Sequence, residues 1–197
     1  MLNLKLKTKR LNLVSTSKEL ISAFLERKLT NYYDWFGDEK VNEFNSHGLF
    51  PQSQKELTDF FNRCENDKSL SSFMIIDKAT NKHIGQCSLQ RIDYINRSAE
   101  FAIVIGELDY HGKGIATECL QKLFEHGFLK LGLNRIWSGT SILNIGMQKV
   151  FEKCGFKQEG IYRQAQFLNG SLKDIICYAL LRSEWDVHKV KEIENEK

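Results

Sequence analysis

The chain has 197 residues, 42% apolar and 27% charged, with a net charge of +3 and basic residues spread along it; that balance suits a globular chain with one large core and excludes the basic stripe or arm of a nucleic-acid binder. Five cysteines without a C-x-x-C pair read as small buried hydrophobes in a reducing compartment, neither a disulfide frame nor a zinc site. No apolar run reaches the ~20 residues of a membrane helix, and "MLNLKLKTKRLNLV" lacks a signal-peptide core, so a cytoplasmic chain without membrane or nucleic-acid partners is expected.

In chain order, "RLNLVS" alternates like a half-buried strand, and Leu20, Ile21, Phe24, Leu25 and Leu29 in "KELISAFLERKL" fall at helical spacing. The segment from Asn31 to Pro51, with Tyr32, Tyr33, Trp35 and Phe36, has no clean period. "SQKELTDFFNRC" reads as a helix opened by a Ser53–Glu56 capping box. "SFMIIDKATNKHIGQCSLQRID" reads as two strands joined by a turn over Ala79 to Lys82, with Asn81 able to take positive φ. "SAEFAIVIG" is apolar enough for a central strand. Ala116, Cys119, Leu120, Leu123, Phe124, Gly127, Phe128 and Leu131 then stripe one face of a helix that ends at Gly132. "LNRIWSGT" is a strand, and "NIGMQKVFEKCGF" a short helix capped by Asn144 and stopped at Gly155. A final hairpin turns at Asn169–Gly170, and the Lys- and Glu-rich tail has little to bury. No repeat or linker divides the chain, so residues 1–185 are expected to form a single domain and 186–197 a polar tail.

The stretch "YHGKGIATECLQKLFEHGF" sets two glycines directly before the apolar stripe. A loop of this kind at a helix N-terminus exposes backbone N–H groups that hold anions. A P-loop is excluded, because Gly114 follows Lys113 where a magnesium-binding hydroxyl is required. A dinucleotide fingerprint is excluded by Thr117 at its third small position. Residues 111–116 do match the pyrophosphate loop [QR]-x-x-G-x-[GA] of acyltransferases, with His111 standing where Gln or Arg is usual.

With that loop between "AEFAIVIG" and the later strand and Asn-capped helix, and with "TKRLNLV", "KHIGQCSL", "GFKQEGIYR" and "DIICYALLRSEW" in order, the chain resembles the RimJ/RimL-like branch of the GNAT N-acetyltransferase superfamily from Thr8 to Trp185. The resemblance implies an α/β (α+β) fold: a mixed, mostly antiparallel sheet of about seven strands, splayed in the middle and flanked by helices. It implies acetyl-CoA as cosubstrate and no metal. The pyrophosphate would lie on the backbone of His111, Gly112, Lys113, Gly114, Ile115, Ala116 and Thr117, with the pantetheine arm along Ile103, Val104 and Ile105. Asn144 and Phe151 would stand near the thioester.

The chemistry needs an uncharged amine, and a lysine-like amine with pKa ~10.4 is mostly protonated at neutral pH. Acid and base positions used by relatives hold Gly139, Met147 and Phe151 here, and none of these can exchange a proton. Among Glu100, Glu107, Tyr110, His111, Tyr162, Arg163 and Asp174, Glu100 is the best base candidate, and a water-relayed route that uses no side chain is the default expectation. The expected function is direct acetyl transfer from acetyl-CoA to a primary amine: a protein N-terminus or other protein amine, or a small amine. Amino sugars and polyamines are the alternative acceptors, a CoA-binding module without catalysis is the alternative class, and a homodimer is compatible with all of these.

Overall fold

The computed structural model describes residues 4–45 and 53–185. The expected polar tail, and the part of the aromatic segment beyond Asn45, lie outside the described residues. Eight strands form one sheet: β1 (Lys5–Lys7), β2 (Leu11–Ser15), β3 (Ser71–Asp77), β4 (His83–Asp93), β5 (Ser98–Ile105), β6 (Arg135–Ser141), β7 (Lys157–Leu168) and β8 (Ser171–Leu181), in the order β1-β2-β3-β4-β5-β6-β8-β7. The strand beyond the expected seven is β1, a three-residue edge piece whose Leu6 pairs with Leu13. All pairs are antiparallel except β5 with β6.

Both faces of the sheet are covered, and β3 shows how. Phe73 and Ile75 point to a core shared with α4 (Ile115–Phe124) and α5 (Ile145–Lys153), while Met74 and Ile76 point to a second core under α1 (Lys18–Glu26), α2 (Tyr32–Trp35) and α3 (Gln54–Asn66). Alternation on a strand buried on both sides therefore reads as a continuous apolar run. The Ser53–Glu56 box forms as expected, with both reciprocal bonds in place. Asn81 takes φ 56°, and the final hairpin turns through Asn169 and Gly170, both at positive φ.

Two local expectations change. The segment after Asn31 contains the short helix α2, whose Tyr32 and Trp35 are buried by tertiary packing that no period announces. The stripe running to Leu131 is α-helical only to Phe124, and Glu125–Lys130 form a π-helical turn in which Leu131 N–H bonds His126 C=O at 3.1 Å.

Candidate active site

Beyond Glu100 and Trp137, β5 and β6 have no paired residues. At the fork, the buried Ser138 hydroxyl donates to the Phe101 carbonyl at 2.9 Å. Alternate residues of a strand present N–H and C=O to opposite edges. Gly106 N–H donates to the Ile84 carbonyl of β4 at 3.0 Å, so Val104, Ala102 and Glu100, two, four and six residues before it, also turn their backbone groups toward β4, and Phe101, Ile103 and Ile105 face the gap. The Phe101 oxygen is taken by Ser138 and the Ile105 oxygen by the His111 imidazole, 2.8 Å away. The Ile103 amide, between them, is left facing the opening.

That opening belongs to a groove of about 960 Å³ lined by the free half of β5, the glycine loop, the end of β6 and the start of α5. Gly112 and Gly114 take φ 71° and 76°, conformations in which a side chain is strained, so each glycine is needed for the turn itself. Gly114 is the N-cap of α4 and offers no side chain, so the amides of Ile115, Ala116 and Thr117 in the first turn lack a side-chain cap. The loop is braced from outside. Arg10 Nη1 donates to the Lys113 carbonyl at 2.9 Å, and the Tyr110 hydroxyl donates to Asp77 at 3.0 Å. Arg10 is oriented in turn by Glu118, which accepts from its Nε at 2.7 Å and its N–H at 2.8 Å. Burial raises the Glu118 pKa, but the bonds from Thr8 and Arg10 outweigh it and hold the carboxyl below the usual range.

Eleven of the twelve residues expected at the cofactor line this groove; Lys113 does not. Its Nζ lies 5.7 Å above the Tyr110 ring. Asn144 lines the groove while its Oδ1 accepts from Met147 N–H at 3.0 Å, so it caps α5 as well. Phe151 is a core residue with one edge on the groove, packed 4.9 Å from Phe156 and 5.0 Å from Tyr178 between ring centres. Glu100 lines the groove at the fork, its carboxylate accepting from Gln90 Nε2 at 3.2 Å and paired with Arg91 at 3.3 Å. Lys149 and Lys153 on α5 add positive charge along the same groove.

A second cavity, of about 250 Å³, opens on the other face of β5 and shares Ala102, Ile103 and Val104 with the groove. Its floor is Gln86, Ser88 and Gln90 of β4, and its wall includes Tyr32, Trp35, Phe36 and Phe60. Nothing in the sequence analysis points to it, although Gln86, Ser88 and Gln90 stand at every second position with the buried Cys87 and Leu89 between them. Among the described residues no group of three or more His, Cys, Asp or Glu is placed to hold a metal, and no helix is long and apolar enough to cross a membrane.

Comparison with known proteins agrees with this geometry. The family model for the acetyltransferase (GNAT) domain matches residues 20–157. The uncharacterized N-acetyltransferase p20 of Bacillus licheniformis is 32% identical over 152 residues, covering 77% of this chain and 85% of that protein. The spermidine N(1)-acetyltransferase of Vibrio cholerae is 31% identical over 134 residues, covering 68% of this chain and 76% of that enzyme. A crystal structure of spermidine N-acetyltransferase from Vibrio cholerae in complex with CoA and spermine superposes with a TM-score of 0.76 at 25% identity, covering 89% of this chain and 98% of that one. This chain belongs to the GNAT acetyltransferase family and is an acyltransferase that takes its acetyl group from acetyl-CoA.

Proposed function

We propose that residues 1–185 form one acetyltransferase domain of the RimJ/RimL-like type, acting in the cytoplasm to move acetyl from acetyl-CoA to a small primary amine in a ternary complex. The observation that carries this reading is the position of β5, open to the amide-lined groove on one edge and to the aromatic cavity on one face. In this reading the diphosphate lies on the uncapped amides of the first turn of α4. The pantetheine arm pairs with the exposed Ile103 amide in place of a strand.

The neutral amine, reaching the thioester from the Ala102–Val104 face, forms the new N–C bond as the C–S bond breaks. A backbone N–H of the splayed strand holds the developing oxyanion. The proton lost from nitrogen leaves through water toward Glu100. The thiolate takes its proton from solvent, because Phe151 and Met147 carry none to give. A second reading, a polyamine acceptor, is favoured by the similarity to the spermidine enzyme of Vibrio cholerae.

Free thiol should appear when the purified protein is mixed with acetyl-CoA and an amine panel, and not without amine. Gly114→Glu should raise the Kd for CoA by at least 100-fold, because it places a carboxylate on the anion site. Unchanged CoA affinity in that variant, with the fold intact by circular dichroism, would reject the placement.

A further inference from the structure

We infer that His111 is a positioning residue whose side chain holds the two halves of the acetyl-CoA site, the diphosphate seat and the pantetheine slot, at a fixed separation. The inference rests on the cofactor placement proposed above and adds the residue that joins its parts. Nε2 of His111 lies 2.8 Å from the Ile105 carbonyl oxygen, six residues back along the chain. A carbonyl oxygen only accepts, so Nε2 carries the hydrogen and donates it. The His111 backbone N–H is already spent on the Leu108 carbonyl at 3.0 Å, where the turn Leu108–Tyr110 closes. The expected backbone donor to the diphosphate is therefore taken at this residue. What His111 contributes is its ring, which ties the glycine loop to the last residue of the open half of β5. Gln and Arg, usual at this place in such loops, share with histidine a side-chain N–H and little else.

The loop needs such a tie. Gly112 takes φ 71°, and an added Cβ there would meet no atom within 4 Å, so packing does not hold the residue after His111. Further on, Arg10 donates to the Lys113 carbonyl at 2.9 Å and fixes the loop to the first hairpin. The His111 bond fixes it instead to the strand that offers the Ile103 amide. A ligand that spans both halves gains from their fixed separation, because its second half then binds as an intramolecular event. A fragment that fills one half gains nothing from it. Loss of the tie therefore costs the whole cofactor and spares its parts, whereas a direct contact from His111 would cost the fragment it touches.

The test measures Kd for CoA by calorimetry, and for pantetheine and ADP by NMR titration, in the wild type, His111→Ala and His111→Gln. His111→Ala should raise the Kd for CoA about five- to tenfold, the worth of one hydrogen bond, and those of pantetheine and ADP less than twofold. His111→Gln, which keeps a side-chain N–H, should recover most of the loss. His111→Phe, which keeps a ring without the N–H, replaces the alanine variant if that one does not fold. An unchanged Kd for CoA, a loss that falls equally on either fragment, or a Gln variant as weak as the Ala variant overturns the inference and leaves the cofactor placement standing. Failure of either fragment to bind the wild type, or of CoA to displace it, overturns the placement and the inference with it.

Discussion

His83 is fully buried, with Trp35 and Tyr32 rings 4.8 and 5.8 Å away between centres and Thr30 Oγ1 2.9 Å from Nδ1. Its Nε2 has no hydrogen-bond partner among the described residues. Desolvation pushes its pKa from 6.5 down to about 3. The unfolded chain takes up this proton near pH 6.5, whereas the folded chain refuses it until about pH 3. The stability tied to a neutral His83 is therefore complete above pH 6.5 and is lost as pH falls from there toward 3. By pH 5 the loss is about 2 kcal/mol, a fall in Tm of roughly 4–8 °C. Thermal unfolding at pH 7.5, 6 and 5 should show this, and His83→Leu should flatten the dependence between pH 6.5 and 5. The histidine is plain in "NKHIGQ", but its neutrality is not, because the rings that strip its water lie in other elements. Glu100 shows the same limit. It stands at the fork, and one oxygen of its carboxylate, Oε2, takes both Gln90 and Arg91, partners supplied by the neighbouring strand.

At the scale of elements, the end of β5 joins the two cavities. The Trp35 ring packs flat on Gly106, where an added Cβ would come within 1.9 Å of it. Trp35 Nε1 and Asn31 Nδ2 both donate to Glu107 Oε1 at 2.9 Å. Trp35 also forms part of the wall of the second cavity, so under the proposed function Glu107 positions that wall through α2. Glu107→Ala should raise the KM for the amine about tenfold, equivalent to roughly 1.4 kcal/mol. It should change the Kd for CoA less than twofold, and Glu107→Gln, which keeps an oxygen acceptor, should recover most of the loss. Equal losses for amine and CoA would show a general loosening instead. The regular elements around this joint were legible because period and caps are local properties. The four residues of α2 were not, since a helix so short is held by the surface it packs on.

For the whole molecule, the first hairpin and the anion loop are one unit. Thr8 and Arg10, in the turn between β1 and β2, bond Glu118 in the first turn of α4, and Arg10 reaches the Lys113 carbonyl. Glu118→Gln should weaken CoA binding several-fold. It should also cost about 1 kcal/mol, kept small because Arg10 is half exposed and screened, or ~2–4 °C in Tm. Calorimetry with and without CoA measures both. The glycine loop, the helix behind it, the central strand and the family they imply are legible in local pattern, since each depends on residues within a few positions of one another. Where β5 and β6 part, which amides face the opening, what orients Arg10, and the ring-walled cavity across the strand emerge only from packing. Those features depend on groups brought together from as far as 110 positions apart, and proximity of that kind is created by packing and has no counterpart in local pattern.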